Sequence, residues 1–211
     1  MRAIRSFASK LRAEEYTTNQ ASVITGVPVA RINHYISREL SALGVALWGD
    51  GKRRLGYDGL VALRVAHDYP ASLTPSARIE VIEKMLKFPR KKDIVLRDNI
   101  SVPVGLSKKR VADGLGRLRQ ATSMVASDTK TLQGEPCFKG TRIPLRVVAG
   151  IAATSGIDSA KLAYPRLTKA QIELACVYVQ ANPRRGRPRR VAEVLARRKP
   201  RSSKTISVTI D

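Results

Sequence analysis

The 211-residue chain is poor in acid: 17 Asp and Glu stand against 39 Lys and Arg, for a formal net charge of +22. It has two cysteines, Cys137 and Cys176, and two histidines, His34 and His67. Two distant cysteines make neither a disulfide framework nor a zinc cluster. The sequence contains no HExxH, no CxxC, no P-loop and no clustered carboxylates, so the acid–base, metal and phosphate-cradling constellations of common enzymes are missing. A catalytic thiol needs a neighbouring base, and neither cysteine has an obvious one; both are expected to lie in or near a core. No apolar run reaches the roughly 18 residues of a membrane span. The N-terminus, MRAIRSFASKLRAEEY, has no signal-peptide apolar region, so a cytoplasmic protein is expected. The chain is expected to be neither an enzyme nor a cofactor or metal binder.

What is present is positive charge and enough apolar residues, 43%, to build packed cores. The charge is uneven. Residues 182–211 hold 10 basic and 2 acidic groups, a net of +8, against +4 over 1–70, +7 over 71–125 and +3 over 126–181. The dense end opens with RRGRPRR from Arg184, so a boundary is expected near Asn182-Pro183, with an extended tail after it. An excess of this size calls for a polyanion or an acidic protein as partner.

The apolar spacing predicts a mainly α fold with short β hairpins, two helix-turn-helix-like units and the tail. Thr17 and Gln20 form a capping-box pair that starts a helix with Val23 and Ile24 on its apolar side. Gly26 breaks it, Pro28 suits the first position of a second helix, and Val29, Ile32 and Ile36 share one face of that helix. ALWGDGKRRLGYDGL, from Ala46, predicts a hairpin, or wing, with Lys52, Arg53 and Arg54 at its tip. A helix over Tyr57 to Tyr69 then packs Leu60, Leu63 and Ala66. SVITGVPVARINHY, the wing and YDGLVALRVAHDY together resemble the winged helix-turn-helix of the MerR family; where that family carries Arg before its aromatic pair, Asn33 stands here.

The second helix would place Arg31, Asn33, His34 and Arg38 outward. Arg31 and Asn33 have the chemistry for guanine and adenine edges, and His34 is either a DNA contact or a solvated residue. The wing cations suit the phosphate backbone or the minor groove.

Residues 76–125 read as a connector. A helix from Pro75 to Lys87 would use Ile79, Ile82 and Leu86. Paired strands would turn at Asp98-Asn99. A helix from Ser107 to about Met124 would bury Val111, Leu115 and Leu118. Lys108, Lys109 and Arg110 open that last helix, the unfavourable end for cations, which is either a hint of a partner or a solvated basic face.

From Ala126 a second unit follows. Gly134 and Gly140 bracket a strand at Cys137-Phe138. Ile143, Val147 and Ile151 mark a helix after Pro144. Asp158 is placed as the cap of a short helix, and Thr168 with Gln171 starts another that carries Ile172, Ala175, Cys176 and Val179. GEPCFKGTRIPL, IDSAKLAYPRLTKAQIELA and CVYVQANP resemble the bacterial family known as domain of unknown function 433 (DUF433), over about 57 residues. The resemblance implies a type II antitoxin, VapB-like, beside a PIN-type ribonuclease toxin. It also implies a homodimer or a toxin–antitoxin hetero-oligomer that represses its own operon. The alternative is a MerR-like regulator with no toxin partner. In this unit Arg142 is expected to bond its own loop. Lys139, Arg146, Lys161, Arg166 and Lys169 are candidate DNA contacts, with dimerisation as the other role for the unit.

The units are thus residues 1–75, 76–125, 126–182 and the tail 183–211. In the tail, Val191, Val194 and Leu195 share a helix face among Arg190, Arg197 and Arg198. TISVTI then alternates, with Ile206, Val208 and Ile210 on one side, a strand pattern that needs a partner sheet. Beside a toxin whose metal site is rich in carboxylates, as the resemblance implies, such a tail is electrostatically complementary. RRGRPRR equally suits a DNA minor groove, and the sequence does not choose.

Overall fold

A computed structural model describes residues 14–49, 52–96, 99–128 and 134–184. It contains eight α-helices and short antiparallel strands among those residues, the mainly helical class that the spacing predicts.

The chain enters through β1 (Tyr16–Thr17) and α1 (Thr18–Thr25). The capping box forms as read: Thr17 Oγ1 accepts from the Gln20 amide at 3.4 Å, and Gln20 Oε1 accepts from the Thr17 amide at 2.9 Å, satisfying donors that the first turn leaves open. Gly26 ends α1 at φ +70°, a left-handed conformation that favours glycine. Val27 and Pro28 lead into α2 (Val29–Tyr35), which continues through a π-helical turn at Ile36–Leu40 and a 3₁₀ turn at Ser41–Leu43.

Strands β2 (Ala46–Gly49) and β3 (Lys52–Leu55) form the hairpin. β1 adds to the far side of β3, Tyr16 pairing with Leu55, so the sheet has the order β1-β3-β2. This third strand has two residues, too short to leave a readable alternation. Helix α3 (Tyr57–Asp68) packs across the unit with Leu60, Leu63 and Ala66 fully buried.

Helix α4 (Pro75–Lys87) buries Arg78, Val81, Ile82 and Met85, whereas Ile79 and Leu86 of the expected face are half-buried. The face is turned by one residue because Arg78 points inward to the α2 extension. The hairpin β4 (Asp93–Val95) and β5 (Ser101–Pro103) turns where expected, with Asn99 at φ 59°. The long helix α5 (Gly105–Ser123) buries Val111, Leu115 and Leu118. It crosses α1 at Gly114, where an added Cβ would stand 2.0 Å from the Ile24 carbonyl oxygen; only glycine lets the two backbones approach this closely.

β6 (Val125–Ala126) pairs with β7 (Cys137–Phe138). Three helices follow, α6 (Leu145–Ser155), α7 (Ile157–Ala163) and α8 (Lys169–Ala181). α6 buries Leu145, Val148 and Ala149 and leaves Val147 exposed, so its apolar face differs from the Ile143–Val147–Ile151 row. Asp158 does not cap α7, whose N-terminal boundary is Gly156; its carboxylate instead meets Lys169 at 2.6 Å.

Two apolar cores result. The first gathers Ile24, Ile32, Leu40, Leu60, Ile82 and Leu115, among others. The second is built on Phe138, Leu145, Val148, Leu167 and Ile172. Helix α8 serves both: it packs on α6, α5 and α1, and its last residue, Ala181, belongs to the first core. No described helix is long and apolar enough to cross a membrane.

Candidate nucleic-acid interface

Helix α2 divides its residues cleanly. Ile32, Tyr35 and Ile36 are buried, and these anchors turn Arg31, Asn33, His34 and Arg38 to the surface. Arg31 and Arg38 make no ion pair or side-chain hydrogen bond among the described residues. Unpaired guanidiniums on one exposed helix keep their full capacity for phosphate or base edges. His34 meets the Tyr35 ring edge-on at 6.0 Å between centroids, and Tyr35 meets His67 at 6.4 Å. Burial, reinforced by the Arg64 charge, lowers the His67 pKa, which keeps that imidazole neutral against the core.

Two pins fix the angle of this helix. One is a buried pair. Arg78 Nε donates to Glu39 Oε2 at 3.0 Å and Nη2 to Oε1 at 2.7 Å, while Nη1 donates to the carbonyls of Leu73 at 2.8 Å and Pro70 at 3.3 Å. All three guanidinium nitrogens are used, the condition under which a buried ion pair is tolerated. The pair ties the π-helical turn after α2 to α4.

The other pin comes from the hairpin. Arg53 Nη1 donates to the Asn33 side-chain Oδ1 at 3.3 Å and to its carbonyl at 3.5 Å, and Nη2 donates to Ser37 Oγ at 3.2 Å.

The hairpin cations therefore differ from one another. Lys52, Arg53 and Arg54 occupy the first three positions of β3 and pair with Gly49, Trp48 and Leu47, so they run back from the turn instead of crowning its tip. Alternation along the strand puts Arg53 on the α2 side. Arg54 lies on the other side, 3.9 Å from Glu15.

A third network anchors α3. Asp68 receives Arg64 Nε at 3.1 Å, Arg110 Nη1 at 2.8 Å and the Ser107 hydroxyl at 2.7 Å. Arg64 also donates to the Thr25 carbonyl at 2.7 Å, capping α1 from a distance. The basic run at the start of α5 is explained here. Arg110 goes to Asp68, and Lys108 Nζ donates to the carbonyls of Pro89 at 3.0 Å and Lys91 at 2.6 Å, with burial lowering its pKa. Lys109 stays exposed.

The second unit spends its cations differently. Lys161 Nζ donates to the carbonyls of Pro165 and Leu167, each at 2.7 Å, and so closes the Tyr164–Thr168 loop from within. Lys169 is paired with Asp158. Arg146 donates to the Asn182 carbonyl at 2.8 Å and stands 3.3 Å from Glu135, which Arg184 also meets. The loop of the GTRI block is held without Arg142: the Thr141 hydroxyl and amide both donate to the Phe138 carbonyl at 2.9 Å, and Gly140 turns at φ +76°. Arg142 is exposed and makes no hydrogen bond among the described residues, contrary to its expected loop-bonding role. Arg166 and Lys139 are exposed likewise.

The thiols lie in apolar surroundings. Cys137 is buried and Cys176 half-buried, and burial raises both pKa values, the direction away from a thiolate. Among the described residues no three metal-ligating side chains come together. The tail residues Arg190, Val191, Val194, Leu195, Arg197, Arg198, Ile206, Val208 and Ile210 lie outside the described residues.

Sequence reasoning missed the Arg53 clamp and the Arg78–Glu39 pair, whose partners are 20 and 39 residues apart. For Arg78 one signal existed: an Arg on the apolar side of a helix implies a buried carboxylate.

Comparison with known proteins places the second unit. Residues 125–179 match the model of the family described as a protein of unknown function, DUF433. The chain is 38% identical over 79 residues to the uncharacterized protein y4eO of Sinorhizobium fredii (strain NBRC 101917 / NGR234), a match covering 37% of this chain and 36% of that protein. The crystal structure of Rv2018 from Mycobacterium tuberculosis aligns over 76% of this chain and 96% of its own at 18% identity, with a TM-score of 0.36. The match to DUF433 thus runs from β6 through most of α8.

Proposed function

We propose that this chain is a DNA-binding repressor of antitoxin type, which reads an operator through α2 with the β2–β3 hairpin set beside it. The observation that carries the reading is the outward face of α2: Arg31 and Arg38 exposed and without a partner among the described residues, over the buried Ile32, Tyr35 and Ile36. A helix set at a fixed angle beside a hairpin, with free guanidiniums outward, is what a major groove accepts. Its cations are complementary to phosphate.

The antitoxin part draws on residues 125–179, on the implied VapB-like resemblance, and on the net +8 of residues 182–211. In this reading the tail, with the alternating Ile206, Val208 and Ile210, inhibits a PIN-type ribonuclease, and the body binds DNA as a homodimer or as a toxin–antitoxin complex.

Footprinting on the DNA upstream of the chain's own reading frame tests the first part, with protection of a defined site expected. Removing residues 183–211 tests the second. Loss of nuclease inhibition with retained footprint is expected; a shortened chain that still inhibits rejects the division of labour. Absence of any nuclease partner leaves a regulator acting alone.

A further inference from the structure

We propose that Arg53 is a specificity-determining positioning residue that makes the α2 face a reader of keto bases, guanine and thymine, and not of adenine; the inference rests on the DNA-binding reading above. The geometry is local. Asn33 and Ser37 stand four residues apart on the exposed side of the helix and its π-helical extension. Each gives its acceptor to the same guanidinium, Asn33 Oδ1 at 3.3 Å and Ser37 Oγ at 3.2 Å. A charge-assisted bond of this kind fixes which way an amide points. With Oδ1 turned to the hairpin, Asn33 Nδ2 is the edge left for a ligand, and Ser37 keeps its hydroxyl hydrogen.

Neither remaining donor has a partner among the described residues. Arg31 and Arg38 on the same face can only donate. The exposed face is therefore rich in donors, with one lone pair of Oδ1 and the direction of the amide committed to Arg53.

The major groove sorts bases by this property. Guanine offers acceptors at N7 and O6 and thymine one at O4, while adenine sets an amino donor beside its N7 and cytosine projects an amino donor alone. The usual asparagine contact to adenine needs Oδ1 to accept from N6 while Nδ2 donates to N7. Arg53 holds Oδ1 toward the hairpin and so away from that bidentate geometry, and an asparagine that by residue type suits adenine is turned into a donor for keto edges.

Selection of the full-length chain on a randomised duplex library reads this out, with Asn33→Ala locating the position that Asn33 contacts. The unaltered chain is expected to enrich guanine or thymine there and to disfavour adenine about tenfold. Arg53→Lys keeps the positive charge but not the fork, and is expected to let adenine in at that same position; a melting curve checks that the variant folds. Adenine preferred by the unaltered chain at the position that Asn33→Ala erases overturns the inference and leaves DNA binding standing. So does a preference unmoved by Arg53→Lys. A library with no enriched sequence removes the DNA-binding reading and this inference together.

Discussion

The two helical units of this chain hold similar side chains and deploy several of them differently. In the first, α2 carries Arg31 and Arg38 on its surface with no partner among the described residues, and two further cations serve to aim that helix: Arg53 from the hairpin and Arg78 from α4. In the second, Lys161, Lys169 and Arg146 turn back onto their own loops and helix ends. Formal charge counts these groups alike, yet a guanidinium closing a loop is unavailable to a partner. The contrast locates the candidate interface better than the net +22 does.

The largest expected effect tests how firmly the first unit is aimed. Arg78→Ala strands Glu39, itself 4% exposed, without its fork. Removing one partner of a buried pair costs about 3–5 kcal/mol, so the urea midpoint should fall steeply and DNA affinity with it. A variant as stable as the parent would show that the pin does not set the angle of α2.

A smaller effect should separate the two units. Lys161→Met leaves the Pro165 and Leu167 carbonyls without their donor, a loss of about 1 kcal/mol. Affinity for DNA at fixed salt should not change, although Lys161 reads by residue type as a DNA contact. Weakened binding with unchanged stability would reverse the assignment and bring the second unit into the interface.

An alkaline titration sharpens the same contrast at the seam where α5 meets β1. Burial first, then the bond to Glu14, pushes the Tyr16 pKa from 10.0 to about 12. The folded state holds the phenol neutral while the unfolded chain releases its proton at lower pH. Stability from this site is therefore present below pH 10 and lost as pH rises from 10 towards 12. Tyr16→Phe should flatten the fall in melting temperature over that window. An equally steep fall in the variant would assign the loss to other groups.

Local chemistry made much of this legible from sequence. Thr17 with Gln20 and Thr168 with Gln171 form the capping boxes their spacing implies, Gly26 and Gly140 turn left-handed, and Asn99 sits in the turn between β4 and β5. These signals need only residues within one turn of each other. The buried faces of α4 and α6 differ from the rows their spacing suggests, because periodicity says that a helix is amphipathic without saying which neighbour it meets. In α4 a buried Arg78 shifted the face, and in α6 the core took Leu145, Val148 and Ala149.

Contacts between distant segments were illegible for the same reason. Nothing in the residues near Gly114 announces that Ile24 will lie against it, and nothing near Asn33 announces Arg53. The candidate site was half visible: the outward residues of α2 follow from Ile32 and Ile36, but which cations remain free depends on partners that only the fold supplies.

The salt dependence of DNA affinity tests the central claim most directly, comparing the full chain with the Arg31→Ala, Arg38→Ala double variant after melting curves have shown both to be folded. Each lost phosphate contact lowers the slope of log affinity against log salt by about 0.9. The slope should drop by about 2 at unchanged melting temperature if both arginines meet phosphate, and by about 1 if one of them reads a base. An unchanged slope with unchanged affinity would take α2 out of the interface and contradict the account.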